Sequence, residues 1–512
     1  MNHFVYQLLA SRKRRIASRI RHDHRPSEAP MLRASNIHYE LATRDRGIAM
    51  GGIGAIHLLA RHCGLIDQID RRVHLLKIHL PYHESDHVLA IAYNILSGGT
   101  CLEDLERLRQ DEVFLDALGA QRIPDPTTAG DFCRRFDQTA VWTLMDTINQ
   151  TRKTLWKRQP PEFFGRAILD SDGTVAATTG ECKEGMDMSY DGQWGYHPLV
   201  VSLANTKEPL FLVNRPGNRP SHEGAHVCLD KAIVLCREAG FKSILLRGDT
   251  DFSQTKYLDG WHQQKDVKFL FGMDAMPNLN RMADDLSASA WKPLERPAKY
   301  QVKTQERSRR ENVQEQVVKE REFKNIRLQS EDVAEFAYQP VACQHTYRMV
   351  VVKKNLSVEK GEHKLFDDVR YFFYITNLTH EAPQEIVLLA NDRCDQENLI
   401  EQLKNGAHAL KMPVDNLISN WAYMVMAALA WSLKAWLALA LPETPGRWRD
   451  RHAAQKTKLL RMEFKTFLTA MMRLPCQIIK TGRKIVYRLL SWNPWQGVFL
   501  RIAQALRRPM LQ

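Results

Sequence analysis

Apolar residues recur at helical spacing through the early part of the chain, then change near residue 163 to short apolar runs. Stretches such as GIGAIHLLARHCGLIDQID and HVLAIAYNILSG place their apolar side chains on one face of a 3.6-residue turn, which predicts helices across 46–155. Within this part, IPDPTTAGDFCRRF sets two prolines and Thr127 ahead of a helix that carries Arg134 and Arg135. Thr127 or Thr128 is the candidate N-cap. The helix serves equally as a recognition helix of a helix-turn-helix or as a structural helix that is basic. Beyond residue 163, FFGRAILDSDGTVAAT, HPLVVSLAN and EPLFLVNRPG read as successive strands separated by turn residues. A helix follows over 224–240, then the buried-strand pattern KSILLRGDTDF, a second helix and the strand KFLFGMDA. This β-β-β-α-β-α-β order predicts an α/β sheet of mixed direction.

Residues 276–382 break the rhythm. A charged stretch over 299–327 precedes the strand-like runs TYRMVVVKK and VRYFFYITN, so this part reads as a β-rich insertion within the α/β domain. A long helix, QEIVLLANDRCDQENLIEQLKNG, is predicted from Pro383, a residue suited to a first turn. Residues 421–441, WAYMVMAALAWSLKAWLALAL, carry one charge, Lys434, and are long enough to span a bilayer. The segment stands alone and has no interfacial pattern at its start, so a core helix is expected instead of a membrane span. The expected layout is a basic arm (1–45), a helical DNA-binding region (46–155), a first part of the α/β core (156–275) and the β-rich insertion (276–382). A second part of the core (383–442) and a basic helical C-terminal region (443–512) complete it.

Composition narrows the partners. The chain has 512 residues, 44% of them apolar, which suits about three packed units. The formal net charge is +13. From Arg447 onward there are 15 Lys or Arg against two acids, Asp450 and Glu463, an excess equal to the charge of the whole chain. Such an excess favours an anionic partner, nucleic acid before acidic membrane. Nine Cys are scattered without a C-x-x-C pair, which points to neither a disulfide framework nor a zinc site and fits a reducing cytoplasm. The opening MNHFVYQLLASRKRRIASRIRH carries basic residues after its apolar stretch and no small-residue cleavage site. It reads as a basic arm touching DNA phosphate.

Three carboxylates carry the candidate chemistry. Asp172 ends the strand RAILDSD and Asp249 ends the strand SILLRGD, and strand ends are where α/β sheets keep their sites. Asp170 lies two residues before Asp172 and shares its face, so either is a candidate. Glu397 shares a helical face with Arg393, Ile400 and Lys404. A solvated stripe of i,i+4 ion pairs, Arg393 with Glu397 for example, explains that face as well. Three acids from two strands and a helix can cradle two Mg2+ ions about 4 Å apart, the arrangement that activates a water and stabilises a leaving oxygen in phosphodiester cleavage. Mn2+ would serve in place of Mg2+. Arg and Lys beside them would hold phosphates.

These blocks resemble DDE transposases of bacterial insertion sequences, in particular the family numbered thirteen-eighty. LDSDGT resembles the family's Asp-x-Thr block, which selects Asp172 with Thr174 over Asp170. LLRGDTDF resembles the second block and selects Asp249 over Asp251. Arg393, Glu397 and Lys404 match the family's Tyr-x2-Arg-x3-Glu-x6-Lys spacing, with Ala390 in place of the Tyr. GYHPLVVSLANTKEPLFLVNRPGN and GGIGAIHLLARHCGLIDQID resemble further family blocks, and the resemblance covers roughly residues 45 to 440. It implies an RNase H-like mixed sheet interrupted by a β insertion. It implies a transposase that binds the inverted repeats at the ends of its element and cuts there with Mg2+. The freed 3′-OH would then be joined to target DNA, in relatives through a hairpin. Arg393 and Lys404 would grip end phosphates, with Arg134 and Arg135 as further DNA contacts. The partners implied are double-stranded DNA and a second copy of the chain in a homodimer, without a membrane, in the bacterial cytoplasm at the nucleoid. Two alternatives remain: an RNase H-like nuclease without strand transfer, and a DNA-binding protein derived from a transposase.

Other features are bland by comparison. GGIGAI lacks a third Gly and a preceding strand, so it is no dinucleotide loop. His222 and His226 stand four apart but lack the following Glu of a zinc-protease helix, and with His197 they read as structural. Trp291 reads as a buried aromatic before a base-stacking one. Trp492 and Trp495 read as packing residues.

Overall fold

The computed structural model describes residues 3–21, 34–178, 180, 182–296, 317, 321, 324–360, 363–443 and 446–507. Most of the charged stretch expected over 299–327 lies outside the described residues, as does part of the expected basic arm.

A helix at His3–Arg21 and a short strand, β1 (Gly47–Ile48), precede a helical region running from Ile53–His62 to Gln138–Trp156. Helix Glu84–Leu96 is buried along nearly its whole length. The helix Pro126–Arg134 starts earlier than the sequence suggests. Its N-cap is Asp125, not Thr127 or Thr128, and the Asp125 carboxylate accepts from the Thr128 N–H at 2.8 Å. Pro126 takes the first helical position, where its missing N–H costs nothing, so the cap falls one residue before it.

Strand β2 (Arg166–Gly173) opens the central sheet. Next, β3 (Ala176–Ala177), β4 (Asp187–Met188) and β5 (Trp194–Tyr196) form a small sheet of their own. The central sheet continues with β6 (Leu199–Leu203), β7 (Glu208–Val213), β8 (Ser243–Gly248) and β9 (Val267–Met273). Strands β10 (Lys292–Pro293), β11 (Lys324–Tyr338), β12 (Tyr347–Lys360) and β13 (His363–Thr376) follow. The strand order is β10-β11-β12-β13-β9-β8-β2-β6-β7. Strands β2, β8 and β9 run parallel, and every other neighbouring pair is antiparallel. The parallel centre follows from composition: Ile244, Leu245 and Leu246 in β8 are buried on both faces, as a strand covered by helices requires. The β-rich segment does not form a separate sheet, because β13 pairs with β9 from Phe373 opposite Met273 to Thr376 opposite Leu270.

The apolar helix Leu417–Leu439 runs through the interior, and its most apolar window is wholly buried by the rest of the chain. It packs on helices Glu84–Leu96 and Gln138–Trp156 and on β7, which joins the helical region to the sheet. Its one charged residue, Lys434, donates to the Leu460 carbonyl at 2.8 Å and sits over the Trp431 ring. Burial pushes that ammonium far below its ordinary pKa. A buried polar knot secures the same junction. Glu208 on β7 accepts from Arg152 at 2.9 Å, Trp156 at 3.1 Å and Trp436 at 2.7 Å, so all of its bonds come from helices packed against the sheet edge.

The C-terminal region is not helical throughout, as the sequence reading expected. Strands β14 (Cys476–Thr481) and β15 (Lys484–Leu489) form a hairpin, and β1 adds to it with Ile48 opposite Cys476. Alternation in CQIIKTGRKIVYRL around Gly482 is the pattern that encodes the hairpin. The two ends of the chain therefore share one small sheet.

Candidate active site

The register of the parallel strands builds the site. Asp170 on β2 lies opposite Arg247 on β8, so two residues further along each strand Asp172 and Asp249 lie side by side at the carboxyl edge. Asp170 and Asp172 share a face but not a fate. Asp170, 1% exposed, takes both bonds of a two-pronged pair from Arg247, at 2.7 and 2.8 Å. Asp172, with 14% of its side chain exposed, instead meets Arg393 Nη1 at 3.1 Å. The structure therefore commits Asp170 to the interior and leaves Asp172 at the site.

The third carboxylate arrives on a broken helix. The sequence predicts one helix from Pro383 past Lys404, but the structure divides it into Pro383–Asn391, Cys394–Glu401 and a π-helical turn at Gln402–Gly406. Tertiary bonds accompany both departures. Arg247 donates to the Leu389 carbonyl at 2.6 Å near the end of the first segment. Gln402 accepts from the Phe464 N–H at 2.8 Å in the π turn. Between them Gln396 anchors the middle segment to β6, donating to the Val200 carbonyl at 3.1 Å and accepting from the Ser202 hydroxyl. Lys207 adds a 2.9 Å ion pair to Asp395.

At the break Arg393 turns inward and gathers all three acids. Its guanidinium lies 3.1 Å from Asp172, 3.7 Å from Asp249 and 3.8 Å from Glu397. Burial opposes the Arg393 charge, but Asp172, Asp249, Glu397 and Asp170 together outweigh it and raise its pKa. Burial also pushes the Asp172 carboxyl up to about 6, with Arg393 opposing and Asp249 adding to the rise. Asp249 is raised as well, by burial first, with Arg393 again opposing. It caps the short turn that follows, accepting from the Asp251 N–H at 3.1 Å. Glu397 is the open member, with 64% of its side chain exposed. Lys404 is half-buried; burial lowers its pKa, while Glu401 and Asp172 pull it back up.

A cleft of about 420 Å3 opens over this group. Asp249, Arg393 and Glu397 line it, and Asp172 lies behind the guanidinium. Ala390 lines it too. The far wall is Tyr371, Phe372, Phe373 and Tyr374 of β13. Sequence reading missed this wall, although the four-aromatic run was its signal: the run lies where β13 pairs with the carboxyl end of β9. Trp291 extends the wall by stacking on Tyr371, with Lys353 5.6 Å above its ring. Arg134 and Arg135 do not reach the cleft. Arg134 is held by Asp131 at 2.9 Å and Asp415 at 3.0 Å. Of the three histidines, His197 bonds the Arg219 carbonyl at 2.6 Å and His226 stacks on Tyr257.

Among the described residues no three His, Cys, Asp or Glu side chains stand close enough to hold a metal as they are arranged. The common point of the three carboxylates is filled by the Arg393 guanidinium. The donor set nevertheless suits hard divalent cations. All three donors are carboxylates, and the one guanidinium at their common point matches only one of their three charges.

The sequence model of the family described as Transposase DDE domain group 1 matches residues 48–511. No curated protein matches the chain. Among solved structures, the piggyBac transposase synaptic complex with hairpin DNA is similar over 91% of this chain and 87% of that chain, at 8% identity and a TM-score of 0.37.

Proposed function

The chain belongs to the family Transposase DDE domain group 1, and we propose that it binds the inverted-repeat ends of a bacterial insertion sequence, cleaves there and joins the 3′-OH ends to target DNA. The observation that carries this reading is the convergence of Asp172, Asp249 and Glu397 on one arginine at the carboxyl edge of two parallel strands. An RNase H-like core is the reading of β7-β6-β2-β8-β9, supported by its two antiparallel pairs followed by two parallel ones.

Asp172, Asp249 and Glu397 would hold two Mg2+ ions, which supply an activated water and a stabilised leaving oxygen. The chain's own residues do the rest. Arg393 presents a rigid fork of donors that binds phosphate oxygens as it binds carboxylates here. Lys404 adds a second cation toward Asp172. The β13 aromatics exclude water from one side of the cleft. In cleavage a water oxygen bonds to phosphorus, the bond from phosphorus to the 3′ oxygen breaks, and the 3′-OH is released. In joining, that hydroxyl replaces water as the nucleophile, and a target 3′ oxygen leaves. Two element ends require two active sites, which fits a homodimer acting in the cytoplasm.

The test substitutes Asp172→Asn, Asp249→Asn and Glu397→Gln singly and follows cleavage of end-bearing duplex with Mg2+. Each variant is expected to lose cleavage, and full activity in any one removes that residue from the site. A labelled 3′ end that is cut but never joined to target DNA would identify a nuclease instead.

A further inference from the structure

The helical region contains a second cavity, of about 700 Å3, that the proposed chemistry does not use. Its walls come from separate stretches of chain. The segment between helices Leu65–Arg72 and Glu84–Leu96 supplies Lys77 and Tyr82. The helix Leu105–Arg109 supplies Arg109, the loop before Pro126 supplies Arg122, and the residue after Arg134 supplies Arg135. Two acids also line it, but both are engaged. Asp125 accepts from the Thr128 N–H and hydroxyl, each at 2.8 Å, and Asp131 pairs with Arg134 at 2.9 Å. Arg109 is held by Glu106 at 2.9 Å. Lys77, Arg122 and Arg135 have no ion pair among the described residues. Three cations without an ion pair thus face one cavity against the single unpaired acid Asp125, and the excess of positive charge favours an anion.

One polar group inside is also unsatisfied. His87 lines the cavity, is 3% exposed, and its Nδ1 has no hydrogen-bond partner. Burial and the nearby Arg135 push its pKa down to about 4, so the ring is neutral and adds no charge of its own. A buried polar atom without a partner is costly unless something else satisfies it.

The aromatic groups decide which part of an anion is read. His87 stacks on Phe132 at 4.3 Å, and Tyr82 meets the edge of His87 at 5.3 Å. Arg122 covers the Tyr82 ring at 5.7 Å. The rings are already engaged with one another or with Arg122, so recognition rests on charge and hydrogen bonding. That suits a sugar–phosphate backbone, whose contacts position a protein without reading sequence.

We propose that this cavity is a DNA phosphate site, in which Lys77, Arg122 and Arg135 hold the backbone of the same DNA that the carboxylate cleft cuts. The site rests on the DNA-acting reading above. It also changes the role of the basic helix. Arg134, tied to Asp131 and Asp415, positions that helix, and Arg135 faces the ligand.

The test uses the full chain and a mixed-sequence duplex, with binding followed by fluorescence anisotropy over a salt series. Lys77→Gln, Arg122→Gln and Arg135→Gln are made singly and together. Each lost contact is expected to lower the slope of log K against log salt by about 0.9, so the triple variant loses roughly 2 to 3. A second triple variant, Lys157→Gln with Lys242→Gln and Lys265→Gln, removes three exposed cations elsewhere. An equal loss there, or an unchanged slope in the cavity variant, overturns the site. The unaltered chain supplies an independent reading. Duplex is expected to protect Lys77 from acetylation, whereas inorganic phosphate and thymidine monophosphate at equal phosphate concentration are not. Protection by the small anions alone overturns the assignment to DNA. A reduced slope in a chain that never cleaves end-bearing DNA upholds the site and rejects the transposase chemistry. An intact slope with triad-dependent cleavage does the reverse.

Discussion

Replacing Asp172 by Asn is expected to stabilise the metal-free protein while abolishing cleavage. Burial lifts the Asp172 carboxyl from its ordinary 3.8 to about 6, even though Arg393 pulls the other way. At about 1.4 kcal/mol for each tenfold change in proton affinity, the ionised side chain is about 3 kcal/mol less favourable in the folded chain than in the unfolded one. The amide keeps the shape and carries no charge, so Asp172→Asn removes that cost. The pH dependence has a definite sign. The folded pKa lies above the unfolded one, so the stability contributed by the Asp172 proton is complete below about pH 4 and lost as pH rises through about 6. The advantage of the variant over the unaltered chain is therefore greatest near pH 7 and falls to roughly half by pH 5. Urea unfolding midpoints with EDTA at pH 5, 6 and 7.5 measure it. A variant less stable than the unaltered chain at pH 7.5, or an advantage that grows as pH falls, would refute the reasoning.

Arg393→Gln leaves three carboxylates around an uncharged group. Mn2+ binding followed by electron paramagnetic resonance is expected to tighten about tenfold, since removing a competing ion-pair partner worth about 1.4 kcal/mol has that effect; unchanged or weaker binding counts against the guanidinium as competitor. Asp170→Ala strands the buried Arg247 and is expected to cost about 3–5 kcal/mol in urea unfolding, and the paired change Asp170→Leu with Arg247→Met is expected to restore most of it. Failure of the pair to recover stability would mean that the Arg247 bond to Leu389, lost only in the paired variant, dominates. Asp125→Ala removes the cap of the basic helix and is expected to cost about 1 kcal/mol, readable as a lower thermal midpoint; no change would mean that Pro126 alone sets the helix start.

What the sequence revealed and what it withheld follow from the range of the forces involved. Strand ends were legible, because RAILDSD and SILLRGD are short apolar runs that stop at an acid. The choice between Asp170 and Asp172 was not legible from alternation, which puts both on one face. What distinguishes the two in the structure is a partner 77 residues away, Arg247, which pairs with the deeper acid. The apolar spacing likewise predicted one helix through 383–404. The break falls at Asn391 and Asp392, residues that favour caps and turns over helix interiors, and the bond that accompanies it comes from Arg247 on β8. The C-terminal hairpin was encoded locally, in alternation around Gly482, but its third strand, Gly47–Ile48, comes from the other part of the chain, far away in sequence.

Arg247 therefore has two roles that no single motif contains. Its bonds to Asp170 hold β2 and β8 in register, which sets Asp172 beside Asp249. Its third bond, to Leu389, fixes the end of the helix just before the break that turns Arg393 inward. The spacing from Arg393 to Glu397 places both on one helix, but it does not aim them. Aim comes from a buried arginine in the neighbouring strand, and the two chemistries stay separate because Asp170 neutralises it. Had Asp170 been absent, Arg247 would be an unpaired cation under the site, and Asp172 would be the nearest acid on the same face to satisfy it. The Asp-x-Asp pair on β2 is thus a division of labour, in which the inner acid occupies the inner arginine so that the outer one stays available.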